Sequence, residues 1–388
     1  MNGNDLKGKI IYLDYNATTP LDPAVALTMR QFLDGNYGNP SSSHPIGLSA
    51  RAFVKKARCQ VAEMLGCSER EITFTSGGTE SNNLAIIGAA LANQGRGNHI
   101  ITTKIEHPAV LEVCAYLENK EFSVSYLDVD ELGRIDPAKI ERALTPSTIL
   151  ISVMHANNEV GTIQPLEEIS KIAHRHNILL HTDAAQSIGK IPVSVDSLGV
   201  DLLSLAGHKL YAPKGIGTLY VKEGTKIQKI IYGASQENNL RPGTENVMSI
   251  AGLGTACELI NENLEEYSKQ MKKFRDLLAR DLKKVFPWMV INGDLQWGIP
   301  NTLSASFPDK KSDLILERMP GVAASAGAAS HSDEVKISHV LQAMRIPPRI
   351  AMGTIRFSVG RFSTEEEIER ALPQILSAIE KEPNIIQI

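Results

Sequence analysis

The sequence predicts an α/β protein whose mostly parallel sheet is covered by helices on both faces. Three observations carry this reading. Between residues 10 and 221, short apolar runs alternate with amphipathic stretches of helical length. Polar residues recur just past the apolar runs, where open parallel sheets collect their ligands. The chain, at 388 residues, is too long for one small core; it suits two domains, or one large domain with an appendage.

Taken in order, Ile10 to Leu13 reads as a short strand entering a polar loop, and Gly35 to Ser43 is turn-forming. The spacing of Ala52, Val54, Ala57, Val61 and Leu65 predicts a helix over 49–65. A strand over 71–75 meets Ser76-Gly77-Gly78-Thr79-Glu80 and then a helix over 81–92. Strand, Gly-Gly-Thr and helix start make either a tight helix cap or an anion cradle of backbone N–H groups. Further strands are expected at 99–102, 124–127, 149–154, 178–181, 201–205 and 218–221, with a helix over 165–174. The polar, glycine-bearing stretch 231–250 reads as a long loop, and 268–286 as a strongly amphipathic helix. The domain change is placed near residue 260. Beyond it come strands at 302–307 and 354–358, a loop at 323–333 and a closing helix over 364–381.

Composition excludes several classes. Hydrophobic content of 43%, charged content of 22% and a net charge of -4 describe an ordinary soluble protein with no nucleic-acid or membrane signature. No apolar run has the length of a membrane span, and the first residues lack the apolar core of a signal peptide. Cys59, Cys67, Cys114 and Cys257 form no CxxC pair, so neither a zinc site nor a disulfide framework is expected. A reducing, cytoplasmic setting follows.

The candidate chemistry gathers at strand ends. His107, Asn158, Asp183, Gln186 and His208 all follow one, as does the Gly78-Thr79 loop. Lys209 stands between the strands at 201–205 and 218–221, in Ala206-Gly207-His208-Lys209-Leu210-Tyr211. It is either a solvated loop charge or a desolvated amine fit for a Schiff base. Asp183 is either a helix cap or a partner for a protonated ring nitrogen, and His107 either a hydrogen-bonded loop histidine or an acid/base group. An amine, a carboxylate and an anion site together meet the three demands of pyridoxal phosphate.

Longer motifs then become recognisable: Tyr12-Leu13-Asp14-Tyr15-Asn16-Ala17-Thr18-Thr19, Thr75-Ser76-Gly77-Gly78-Thr79-Glu80-Ser81-Asn82-Asn83, Asn157-Asn158-Glu159-Val160-Gly161 and His181-Thr182-Asp183-Ala184-Ala185-Gln186. Gly207-His208-Lys209, Arg241-Pro242-Gly243-Thr244-Glu245-Asn246 and Arg356-Phe357-Ser358-Val359-Gly360-Arg361 complete the set. Together they resemble the cysteine desulfurase and selenocysteine lyase family, class V of the fold-type I pyridoxal-phosphate enzymes. The resemblance implies a large cofactor-binding domain over 15–260 with a mixed, mostly parallel seven-stranded sheet. It also implies a smaller α/β domain from 1–14 and 261–388 that carries a mobile active-site loop near 323–335. By the same resemblance, Lys209 is the Schiff-base lysine, Asp183 the pyridinium partner and His107 the ring-stacking acid/base. Gln186 and Asn158 contact the ring oxygen and hold ring or substrate; Gly78, Thr79 and His208 bind phosphate. Thr244 reaches the phosphate of a neighbouring subunit, implying a homodimer with shared sites. Arg356 grips the carboxylate of L-cysteine or L-selenocysteine. No metal is implied, and a sulfur-acceptor protein, as in iron–sulfur cluster assembly, is an expected partner.

One position departs from the family pattern. The sulfur-accepting cysteine belongs in Ser325-Ala326-Gly327-Ala328-Ala329-Ser330-His331-Ser332-Asp333, and Ser330 occupies its place. A serine hydroxyl ionises far less readily than a thiol and is a poor sulfur acceptor. The reading adopted is a desulfurase giving L-alanine and a persulfide, with a Cys-to-Ser exchange at 330. Its rivals are an enzyme releasing sulfide or selenide without a persulfide, a pyridoxal enzyme of another reaction type such as a transaminase or racemase, and a non-catalytic scaffold retaining the cofactor. Ala206, where many relatives have serine, and Ala234-Ser235, in place of a glycine pair, are smaller departures. The arm around Ser330 is expected to be mobile rather than a rigid hairpin.

Overall fold

The computed structural model describes residues 10–331 and 334–383, with the side chains of 328–336 outside that description. Seven strands form the central sheet: β1 (Ile72–Thr75), β2 (His99–Thr103), β3 (Ser123–Leu127), β4 (Thr148–Ser152), β5 (Leu179–Asp183), β6 (Leu202–Ala206) and β7 (Gly217–Val221). Their spatial order is β1-β7-β6-β5-β4-β2-β3. The pairs β2–β3, β2–β4, β4–β5 and β5–β6 are parallel, whereas β7 runs against both β6 and β1. The sheet is therefore mixed and mostly parallel, as the strand–helix alternation predicts.

Helices cover both faces, and two apolar clusters record this. One joins Val54, Val61, Ile101, Ile151, Leu203 and Ile250; the other joins Leu84, Ile100, Val110, Leu150, Leu202 and Leu219. Neighbouring residues such as Ile100 and Ile101, or Leu202 and Leu203, fall in different clusters because side chains alternate across a strand. A polar clamp crosses the same strands. The His181 ring on β5 bonds Ser152 Oγ on β4 at 2.8 Å and Ser204 Oγ on β6 at 3.0 Å. Burial pushes this imidazole down to about 3, so it stays neutral between its two hydroxyl partners.

A second sheet, Ser325–Ala326, Thr354–Ser358, Thr302–Ser306 and Val290–Asn292 in spatial order, is antiparallel throughout. It packs with the Glu365–Lys381 helix into a core of its own containing Leu303, Phe307, Phe357 and Ile375. Ile11 and Leu13 join this core, and Ile11–Tyr12 pairs with Val322–Ala323.

Two expectations are corrected. The helix expected to start at residue 268 runs unbroken from Val247 to Val285, so the end of the presumed 231–250 loop is helical. Its first half buries Ile250, Leu253 and Ile260 in the large core, and its second half buries Met271, Phe274 and Leu278 in the small one. Around residue 330, the loop expected at 323–333 is instead a ribbon in which Ala328–His331 pairs antiparallel with Glu334–Ile337. The alternation Glu334-Val335-Lys336-Ile337 is a strand pattern.

Close backbone approach fixes the glycine turn after β1. Gly217 on β7 lies opposite both Thr75 and Ala206. A Cβ there would fall 2.6 Å from Gly77 Cα and 2.6 Å from the Leu205 carbonyl oxygen. Gly217→Ala is therefore expected to cost about 1–3 kcal/mol through overpacking against rigid backbone. Urea denaturation measures this, and a midpoint equal to wild type would show that the turn can yield.

Candidate active site

The carboxyl ends of β2, β4, β5 and β6 open into one cavity of about 410 Å³. Its wall includes Gly78, Thr79, His107, Asn158, Asp183, Gln186, His208, Lys209 and Arg356. Nine of the eleven residues singled out in the sequence thus face one space. Thr244 does not: it is exposed, in the stretch leading to the long helix. Ser330 lies opposite Val335 in the ribbon, and its side chain is outside the described residues.

The anion cradle is the N-terminus of the Gly78–Asn93 helix. Gly77, its cap residue, lies at φ +153 and gives no side-chain cap, so the first N–H groups remain available to a ligand. Glu80 closes the outer edge, accepting from Ser76 N at 2.8 Å and pairing with Arg241 at 2.9 Å.

Asp183 ends β5. Its Oδ1 accepts from Ala185 N at 2.9 Å and its Oδ2 from Asn82 Nδ2 at 2.7 Å. It is 7% exposed, and no ion pair holds it among the described residues. A buried carboxylate held only by neutral donors favours a cationic N–H placed opposite it.

Lys209 follows β6 in a short 3-10 turn. Its Nζ donates to the carbonyl oxygens of Asn16 at 2.5 Å and Ala17 at 2.8 Å. Burial, and then the Arg356 charge, lower this amine to about 8, with Asp183 and Asp14 opposing. The solvated-charge reading of Lys209 is thereby set aside.

His107 caps the helix Pro108–Glu118, its Nδ1 accepting from Ala109 N at 3.1 Å. That bond leaves the proton of the neutral ring on Nε2. Burial holds this imidazole below its ordinary value, with Asp183 pulling the other way. His208 is lowered to about 4, chiefly by burial and then by Lys209, and its Nδ1 lies 3.1 Å from Thr18 Oγ1.

Arg356 is not a surface ion pair. Its side chain is 12% exposed, with Nη2 2.8 Å from Asp14 Oδ1 and 2.9 Å from Ser325 Oγ, and Nη1 3.0 Å from the Asn158 carbonyl. Its buried Nε has no partner among the described residues.

Sequence reasoning assigned no role to Asn16, Asn82, Met154 or Ala156, which also line the cavity. Asn16 and Asn82 lie inside quoted motifs, which was the available signal. Met154 and Ala156 follow a strand end without a polar group to mark them.

The arrangement fits pyridoxal phosphate on the structure's own terms: a half-buried amine of lowered basicity, a buried carboxylate without a cation and an uncapped helix N-terminus share one cavity. Comparison with known proteins agrees. Residues 11–371 match the model of the family described as Aminotransferase class-V. A protein from Dictyoglomus turgidum named cysteine desulfurase IscS is 47% identical over 373 residues, covering 96% of this chain and 95% of the relative. One of the same name from Methanosarcina thermophila is 44% identical, covering 98% and 94%. Among solved structures, a NifS-like protein superposes with a TM-score of 0.90 at 40% identity, covering 96% of this chain and 99% of that one. A structure described as SspA in complex with cysteine gives 0.78 at 35% identity, covering 91% and 99%.

The lowered basicity of Lys209 has a thermodynamic consequence. Between about 8 and the ordinary 10.5 the unfolded chain binds a proton here that the native one does not, so stability rises with pH across that window. Cofactor-free wild type should gain about 3 kcal/mol relative to Lys209→Met from the bottom of the window to the top. Urea unfolding of both proteins at the two ends reads the difference, and parallel stabilities would mean that Lys209 is an ordinary solvated lysine.

Proposed function

Because the chain belongs to the class-V aminotransferase family, we propose that it is a pyridoxal 5'-phosphate-dependent cysteine desulfurase. It takes L-cysteine to L-alanine and hands the sulfur on. The observation that carries this reading is the placing of Lys209 and Asp183 on one cavity with the open N-terminus of the Gly78–Asn93 helix. When bound, the cofactor supplies an aldehyde for a primary amine and a ring that draws electrons from the substrate's Cα.

The protein's own groups divide the work. Gly78, Thr79 and His208 bind the phosphate, the neutral imidazole contributing a hydrogen bond without a charge. Asp183 would accept from the ring N–H, and His107, with its proton on Nε2, would supply an acid/base group beside the cofactor. Lys209, lowered to about 8, carries a substantial neutral fraction near physiological pH, which nucleophilic attack needs. With the cofactor and substrate in place, the same Nζ would receive and return protons. Gln186 and Asn158 hold ring and substrate. Arg356 receives the substrate carboxylate in a two-pronged contact, with Asp14 and Ser325 holding its outer nitrogen.

Sulfur transfer needs a thiolate whose lone pair bonds the substrate sulfur while the Cβ–S bond breaks, its electron pair passing to Cβ and then to a proton. Residue 330 is the seat of that acceptor, and serine there, in place of cysteine, leaves substrate binding intact while removing the persulfide. Thr244, exposed and away from its own chain's cavity, serves the phosphate site of a second copy in a homodimer. The division of labour follows the two cores, with 15–260 binding the cofactor and 1–14 with 261–388 carrying the ribbon. No helix among the described residues is long and apolar enough to cross a membrane. All four cysteines are unpaired, in keeping with the reducing cytoplasm.

Two experiments test this reading. Borohydride reduction of the cofactor-loaded protein followed by peptide mapping should place the pyridoxyl group on Lys209; a label on another lysine, Lys190 included, would overturn the assignment. Ser330→Cys should raise alanine release from L-cysteine by roughly a hundredfold or more, the order lost with a catalytic nucleophile. Equal rates would mean that sulfur leaves without a protein thiol.

A further inference from the structure

Beside the cavity lies a second lysine with no role in the chemistry above. Lys190 is 4% exposed. Its Nζ lies 2.6 Å from Gln186 Oε1 and 3.0 Å from Asn16 Oδ1, both uncharged acceptors. No carboxylate pairs with it among the described residues. A neutral amine has two N–H bonds, and here both have an oxygen; an ammonium would bury a third N–H and a charge without a partner.

We propose that Lys190 is a positioning residue, which fixes the amide of Gln186 so that its N–H end, and not its oxygen, faces the cofactor cavity. The two ends of a glutamine amide are nearly equal in size, and only their partners decide which way each points. Lys190 can donate to Oε1 at this distance. Nε2 is thereby turned to the other side, where it donates to the Asn16 carbonyl at 3.0 Å, and both residues line the cavity. The same amine holds Asn16 Oδ1, leaving Asn16 Nδ2 to donate to Thr302 Oγ1 at 2.7 Å and to the Asn158 carbonyl at 3.1 Å. One buried nitrogen therefore sets the direction of two amides on the wall. Burial, then the Lys209 and Arg356 charges, hold Lys190 well below the ordinary lysine value, which agrees with the neutral form that the contacts require.

The inference rests on the cofactor reading, in which Gln186 donates to the ring oxygen. An N–H donor there stabilises the deprotonated chromophore, so losing it moves the pH midpoint of the holoenzyme's visible absorbance upward. In Lys190→Met the midpoint should rise by about one pH unit, and the cofactor should dissociate about tenfold more readily. Lys190→Gln, which keeps N–H donors on a shorter chain without a titratable amine, should fall between wild type and Met; it carries the test if the Met variant does not fold. In a Gln186→Leu background, either substitution should move the midpoint no further, because the residue through which Lys190 acts is gone. An unchanged midpoint in both variants, or an equal shift with and without Gln186, overturns the proposal. Wild-type protein that takes up cofactor without any visible band would instead sink the cofactor reading itself.

Discussion

Asn16 is the residue on which the cavity depends. It is 1% exposed, and every polar atom it has is engaged. Its carbonyl oxygen receives Lys209 and Gln186, its Oδ1 receives Lys190 and Asn301, its Nδ2 reaches Thr302 and the Asn158 carbonyl, and its N–H donates to Ser358 Oγ. These partners come from the loops past the central strands and from the second sheet and its edge. A buried polar residue with its hydrogen bonds complete is costly to move, because any shift strands several groups at once. The position of Lys209 Nζ is thus set from outside its own turn.

Around that hub burial disfavours the charged form of several ionisable groups. His181, His155 and His208 are all lowered by burial, and Glu106, fully enclosed beside His107, is pushed up to about 8. Formal charge on the cavity wall lies in Asp183, in Arg356, the latter balanced by Asp14, and in the protonated fraction of Lys209. A ligand entering such a space meets one anionic wall and one cationic wall. That suits a zwitterionic amino acid lying across an aromatic ring with a protonated nitrogen.

The strands, and the clustering of function at their ends, were legible because both follow from short-range pattern: apolar runs, turn residues and the topological rule for parallel sheets. What sequence hid was long-range. Of the two acceptors that hold Lys190, Gln186 is four residues away but Asn16 is 174, a contact that local pattern does not reveal. The start of the long helix was hidden for a different reason. The glycine-bearing stretch 231–250 read as a loop to its end, yet the helix starts at Val247 and continues through Gly254, where a Cβ would stand 2.6 Å from Ala57 Cα on the Pro45–Leu65 helix. That glycine serves close helix packing and not chain reversal. The family motifs carried the individual roles further than spacing could, though they named Asn16 and Asn82 without saying what either does.

The ribbon carrying residue 330 is tied to the cavity at both feet. On its entry side Ser325 donates to Asp14 and accepts from Arg356, the residue assigned to the substrate carboxylate. On its exit side Ser338 bonds the Glu159 carboxylate, and His339 Nε2 lies 2.9 Å from the Glu106 carbonyl, one residue before His107. Because Ser325 and Asp14 share Nη2 of Arg356, the cavity wall and the ribbon's stem meet at one hydrogen-bond donor. Those anchors do not depend on whether residue 330 is serine or cysteine.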